Sequence, residues 1–63
     1  MDRREVRRGI MANLAVIEVE RDKLEEIAAQ ADVSGDPILC GELRRYVEKL
    51  TVLVDQMYEW AGN

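Results

Sequence analysis

The sequence contains 63 residues, among them no histidine, no phenylalanine, one cysteine and one proline. Without histidine there is no imidazole base, which excludes the usual Ser-His and Cys-His catalytic pairs. One cysteine cannot form an intrachain disulfide, and together with scattered carboxylates it does not make a zinc or iron site. The composition therefore predicts no metal and no cofactor, and it points away from an enzyme.

The small size of the chain limits how it can be stabilised. A domain of about 60 residues buries only about 60% of the surface that its unfolded chain exposes. Domains below about 70–80 residues usually depend on disulfides, a metal, oligomerisation or very regular helix packing. Because disulfides and metals are excluded, helix packing and self-association remain.

The formal charge is −4, with 48% hydrophobic and 35% charged residues. This composition is too apolar for a disordered chain and is rich in helix-forming residues. Phosphate binding requires a basic excess, so nucleic acid is not the expected partner. No apolar run approaches the roughly 18–20 residues that cross a membrane. A single unpaired cysteine fits a reducing compartment, and we expect a cytoplasmic protein.

One turn signal divides the chain into two helical segments. Asp36 is a good N-cap, Pro37 suits a first helical position, and Gly35 suits the turn before them. A connection this short makes the helices antiparallel neighbours, so the sequence predicts an all-α two-helix hairpin. The predicted single domain (residues 1–63) has a first helix at about 3–31, a turn at 32–36 and a second helix at about 37–61.

Apolar residues recur at helical spacing in both segments, which predicts the faces that meet in the core. The first helix contributes one row, Val6, Ile10, Leu14, Ile17, Leu24, Ile27, Ala28 and Ala31. The second helix has two adjoining rows that share three members: Leu39, Leu43, Tyr46, Leu50, Leu53, Met57 and Trp60, and Cys40, Leu43, Val47, Leu50, Val54, Met57 and Ala61. We expect both rows to form one broad apolar face.

Charged residues support the same antiparallel arrangement. With the turn centred near Val33–Ser34, Leu14 should face Leu53, and Glu18 should face Lys49. Each surface ion pair contributes only about 0–1 kcal/mol. Such pairs therefore select register and orientation more than they add stability.

Around the middle of the first helix the sequence is apolar on nearly every side. A hairpin covers only one stripe of each helix, so this surplus should be buried by something else. We expect it to bind a second copy in a homodimeric four-helix bundle, or a helix of another protein. The predicted partner-binding residues, called here the first-helix patch, are Met11, Ala12, Ala15, Val16 and Val19.

The basic residues allow both structural and functional interpretations. Arg21 interrupts the apolar row, and it either extends its guanidinium out of the core, stacks on Tyr46, or anchors an anionic group of a partner. The only basic cluster either contacts an anion or acidic partner or neutralises the acidic end of the second helix. This cluster comprises Arg3, Arg4, Arg7 and Arg8.

Cys40 lies in the first turn of the predicted second helix. A thiol at a helix N-terminus can be reactive, which would make Cys40 a redox sensor. It also belongs to an apolar row, where a small side chain would simply fill space. We favour the packing role.

The segment Ile17-Glu18-Val19-Glu20-Arg21-Asp22-Lys23-Leu24, followed by a turn with Asp36-Pro37 and a second helix, resembles the small sporulation aspartyl-phosphate phosphatases. That resemblance implies a helical hairpin that dephosphorylates response regulators. The family's second-helix signature is Ser-Gln-x-Leu-Asp, whereas this chain has Cys40-Gly41-Glu42-Leu43-Arg44 at that place. Only Leu43 matches. The resemblance therefore supports the hairpin fold more than it supports phosphatase activity.

In size and architecture the chain is also similar to the hairpin co-chaperones of type III secretion and to a dimeric hairpin regulator of plasmid copy number that binds RNA. Neither similarity has a residue motif behind it, and fold alone does not determine function. The sequence therefore predicts a small helical hairpin that binds another protein as a regulator, adaptor or chaperone. The alternatives are a response-regulator phosphatase and a type III secretion co-chaperone-like hairpin.

Overall fold

The computed structural model describes residues 2–62, and this part of the chain consists of two α-helices with no strand. Helix α1 is Arg3–Val33 and helix α2 is Pro37–Gly62. They lie side by side and antiparallel in a rod of 50 × 14 × 14 Å. The predicted all-α hairpin is confirmed.

An aspartate begins each helix. The Oδ1 atom of Asp2 accepts the backbone N–H of Arg4 at 3.3 Å, and Oδ1 of Asp36 accepts that of Leu39 at 3.1 Å. The first N–H groups of a helix have no partner inside it, so these side chains satisfy donors that would otherwise need water. The predicted cap at Asp36 is therefore present, and Asp2 caps α1 in the same way.

The turn between the helices is tight and closed by backbone hydrogen bonds. The N–H of Asp36 donates to the carbonyl of Ala31 at 2.9 Å, and the N–H of Gly35 donates to that of Asp32 at 3.1 Å. This pair of bonds is a Schellman motif, which requires a left-handed residue at Gly35, and its φ is 85°. Helix α1 consequently extends two residues beyond the predicted end, to Val33.

The core is a narrow seam along the hairpin. Near the open end, Leu14, Val54 and Met57 are buried together, with Ile10 and Ile17 packed against them. Near the turn, the buried residues are Ala28, Ala31 and Cys40, and Leu43 packs on them. The seam residues of α2 recur in alternating steps of three and four, as in a coiled coil. They are Cys40, Leu43, Val47, Leu50, Val54, Met57 and Ala61.

Two predictions about the core are wrong in part. Val6 and Ile27, assigned to the core face of α1, are nearly half exposed. The expected packing of Leu14 on Leu53 is replaced by packing on Val54, because only one of the two adjoining α2 rows can face α1. A hairpin gives each helix a single neighbour, so the other row remains on the surface.

The elongated shape leaves a large surface for so small a chain. The radius of gyration is 14.8 Å, against about 11 Å for a compact domain of this length. The accessible surface is 4964 Å², about a fifth more than the roughly 4,100 Å² of a compact monomer of this mass. Thirteen large hydrophobic side chains are exposed on this surface.

Candidate interaction surfaces

Helices α1 and α2, with the turn between them, enclose no pocket and hold no group of three or more side chains that could bind a metal ion. Neither helix is both long and apolar enough to cross a membrane.

The first-helix patch lies on the surface where the sequence placed it. Its three large side chains, Met11, Val16 and Val19, are between 48% and 60% exposed, and Ala12 and Ala15 are also exposed. Val19 points away from α2, whereas Val16 lies closer to one edge of the hairpin, because successive residues turn by about 100° around a helix. The patch therefore covers the back of α1 and reaches both flanks, with Val16 toward one and Met11, seven residues before Glu18, on the other.

A second apolar surface follows α2. One large apolar residue recurs at every seventh position, immediately before a seam residue, and each is between 38% and 58% exposed. We call this set, Leu39, Tyr46, Leu53 and Trp60, the second-helix row. A seven-residue repeat keeps the row on one side of the helix along its whole length. Such a repeat is typical of a helix surface that packs against another helix.

The second-helix row and exposed α1 residues share one edge of the hairpin. Asn13 and Leu53 immediately precede Leu14 and Val54, which lie in one buried cluster, so Asn13 and Leu53 are neighbours at the edge. By the same reasoning Ile27, which precedes Ala28, lies beside Leu39, which precedes Cys40. The seven-residue repeat then sets Val6 beside Trp60, and Glu20 beside Tyr46. We call this side the Trp60 edge.

The opposite side, the Tyr58 edge, is mainly polar; its exposed apolar residue on α1 is Met11, seven positions before Glu18. The Tyr58 hydroxyl donates a hydrogen bond to Oε1 of Glu18 at 2.5 Å. This bond raises the pKa of Tyr58 above its usual 10.0, with smaller raising contributions from desolvation and the charge of Glu18. The predicted Glu18–Lys49 ion pair is absent. Among residues 2–62 the cation of Lys49 instead lies 5.4 Å from the ring centre of Tyr46, on the other side of the molecule.

Charge is distributed unequally between the two edges. Along the Tyr58 edge and its flank, acidic side chains outnumber the basic ones, Arg4, Arg8 and Arg44. The acidic ones are Glu18, Asp22, Glu25, Asp32, Glu48 and Asp55.

Charges beside the Trp60 edge are balanced. Glu20 pairs with Lys23 at 3.8 Å, and Glu42 pairs with Arg45 at 3.7 Å. The negative charge of the chain therefore lies mainly away from the apolar edge.

The arginines differ in their surroundings. Arg21 occupies a seam position, but it does not stack on Tyr46 as one prediction proposed. Its guanidinium turns outward to Asp22 Oδ1 at 3.3 Å, and its side chain is 24% exposed. The basic cluster forms the exposed start of α1, which is the longer helix by five residues. Within the described part of the chain, Arg3, Arg4, Arg7 and Arg8 form no ion pair.

Cys40 is buried, with 4% of its surface exposed, between Ala28 and Ala31. It is a free thiol. It packs with these two small residues of α1 in the core cluster near the turn, where the thiol serves as a small apolar group. The packing role proposed for Cys40 therefore agrees with the structure.

The chain matches no family model, no curated protein and no solved structure. The resemblance to sporulation phosphatases thus stays a prediction.

Sequence reasoning named the first-helix patch but missed the second-helix row as a surface. The available signal was the pair of adjoining rows on α2, which is wider than one neighbouring helix can cover.

Proposed function

We propose that this protein acts by binding protein through apolar helix surfaces, and that its first partner is a second copy of itself. In this proposal two hairpins associate into a homodimeric four-helix bundle that serves as a regulator, adaptor or chaperone. No catalytic step is part of the function. The single free cysteine supports a reducing compartment, such as the cytoplasm.

The second-helix row carries this proposal. Its four members are large, regularly spaced and about half exposed, and Val6 and Ile27 extend the same edge on α1. Isolated exposed apolar residues are ordinary, but a continuous stripe along one side of a rod marks an interaction surface. An amphipathic helix or a hairpin of similar length is the kind of partner that such a stripe accommodates.

The thin core supports the same conclusion. Within residues 2–62 the buried side chains are only Leu14, Ala28, Ala31, Cys40, Val47, Val54 and Met57. Three of these are Ala or Cys, which contribute little apolar area. Association would give the hairpin a second layer of core, which is a usual way to stabilise so small a domain.

Molar mass measured by light scattering at several concentrations tests the proposal. The wild-type chain should change from monomer to dimer as its concentration rises, and its helicity should increase with the dimer. The variant Leu53→Glu with Trp60→Glu should remain a monomer, because two carboxylates would be buried without partners.

A matched control places the same two charges elsewhere on the surface. Val33 and Ile38 are also apolar and highly exposed, but they lie at the turn and on the back of α2. Val33→Glu with Ile38→Glu should therefore dimerise like the wild type. A wild-type chain that is monomeric and fully helical at every concentration would refute self-association as the function.

A further inference from the structure

We propose that the two copies meet through their Trp60 edges about a two-fold axis perpendicular to the helices, so that α2 lies antiparallel to α2 of the second copy. This inference rests on the proposed function and adds the interface and its orientation. The alternative is a two-fold axis parallel to the helices, in which α2 of each copy lies against α1 of the other. The residues of the Trp60 edge distinguish the two arrangements.

The perpendicular axis makes the second-helix row complementary to itself. The row is centred between Lys49 and Leu50. Turning one copy about that centre brings Leu39 to Trp60 of the second copy, and Tyr46 to Leu53. Each contact is apolar and pairs a larger ring with a smaller aliphatic side chain, which suits close packing at a two-fold interface.

The same axis also brings complementary residues of helix α1 together. Because Asn13 lies beside Leu53, and Glu20 beside Tyr46, the centre of the row on α2 is level with the point midway between Val16 and Ile17 on α1. Rotation about that level brings Val6 to Ile27 of the second copy. It also brings Asn13 to Glu20, where the amide can donate to the carboxylate. One axis therefore matches apolar with apolar and polar with polar on both helices.

The parallel axis produces mismatches at the middle of the edge. It keeps every residue at its own level and sets α1 against α2, so Asn13 would face Leu53 and Glu20 would face Tyr46. Burying the Asn13 amide against the apolar side chain of Leu53 without a hydrogen-bond partner is costly. The edge thus favours the antiparallel arrangement, in which Asn13 meets the carboxylate of Glu20.

Charge and area fit a second copy as the occupant. Two identical chains of net charge −4 repel each other, but most of that charge lies on the Tyr58 edge and its flank, and the carboxylates of Glu20 and Glu42 are already paired. The six apolar side chains of the edge are 38–58% exposed, which leaves on the order of 100 Å² of each accessible. Complete burial of these side chains in two copies would cover roughly 1,200 Å², the lower end of the range for a stable specific interface.

Single-cysteine variants in a Cys40→Ala background test the arrangement. Val16 and Lys49 are exposed, flank the Trp60 edge and lie close to the proposed axis. Under mild oxidation Val16→Cys alone and Lys49→Cys alone should each form a disulfide-linked dimer, because each residue lies near its own copy. Arg45→Cys, on the back of α2, serves as the control and should stay unlinked. Circular dichroism verifies that each variant is folded.

The possible outcomes separate this inference from the proposed function. If Val16→Cys and Lys49→Cys link only when the two variants are mixed, the parallel axis is correct and the inference is overturned, while self-association stands. A light-scattering dimer in which neither variant links, alone or mixed, uses another face and also overturns it. A chain that is monomeric by light scattering refutes the proposed function itself.

Discussion

The Tyr58 hydroxyl donates a hydrogen bond to Oε1 of Glu18 across 2.5 Å, joining residues 40 positions apart in the chain. It is the one side-chain hydrogen bond between the helices in the range 2–62. A slip of α2 along α1 would separate the two groups. This bond therefore reports the register of the hairpin.

The pKa of Tyr58 should depend on this contact. The hydrogen bond to Glu18 is the largest cause that raises it, and Arg21 opposes the shift. Since the neutral phenol is the donor, the stabilisation is fully present below the usual tyrosine pKa of about 10 and is lost as the pH rises through the raised value. In a Tyr46→Phe background, Glu18→Ala should lower the midpoint of the tyrosinate absorbance titration.

Glu25→Ala is the control for that titration, because Glu25 lies on the same edge without a bond to Tyr58. It removes the same charge at a greater distance and should leave the midpoint nearly unchanged. Equal effects of the two substitutions would mean that general charge, not the hydrogen bond, sets the pKa of Tyr58.

Replacement by alanine should have opposite effects on stability at two of the glycines. Gly35 has a φ of 85°, and Gly9 lies within helix α1; an added Cβ would meet no atom within 4 Å at either position. Only backbone preference therefore distinguishes them. Gly35→Ala should lower the free energy of unfolding by about 1–2 kcal/mol, whereas Gly9→Ala should raise it by about 0.5–1 kcal/mol.

Urea unfolding at one fixed protein concentration would measure both changes, since association makes the apparent stability depend on concentration. A loss of stability in Gly9→Ala would show that the start of α1 packs against something that the glycine accommodates. Unchanged stability in Gly35→Ala would contradict the left-handed turn.

The hairpin could be predicted from the sequence because the signals that define it are local. The caps at Asp2 and Asp36 and the turn at Gly35 depend on residues a few positions away. The choice between the two rows of α2 is not local. It depends on which residues of α1 pack on α2, and near the turn these are Ala28 and Ala31, which are buried together with Cys40.

Near the turn Cys40 is buried, whereas Leu39, which precedes it, is 47% exposed. Periodicity shows two adjoining rows on α2, and the packing of the two helices determines which row lies on the surface. Its members had been assigned to the core because periodicity identifies apolar residues without saying which neighbour covers them.

Single substitutions at the two exposed valines of the first-helix patch should have different effects on association. Val16 flanks the Trp60 edge, while Val19 lies on the back of α1, and both are more than half exposed. In the proposed dimer Val16→Glu would bring two carboxylates together near the axis and should weaken association. Val19→Glu should leave the light-scattering mass unchanged. Equal weakening by both would place the dimer interface on the back of α1.

The polar pair in the middle of the Trp60 edge should control orientation more than affinity. Replacing both members, Asn13→Leu with Glu20→Leu, removes the polar contact that favours the antiparallel arrangement and makes the edge apolar throughout. We expect the variant dimer to persist to lower protein concentration than the wild-type dimer, but in both orientations. A buried polar residue commonly specifies one alignment at a cost in stability.

The disulfide assay described above measures this loss of specificity. In the leucine background, Val16→Cys and Lys49→Cys should link to each other when mixed as well as to themselves, whereas in the native background they should link only to themselves. If the leucine variant dimerised tightly and kept the native linking pattern, the orientation would have to come from the packing of Trp60 and Tyr46, and the polar pair would have no part in it.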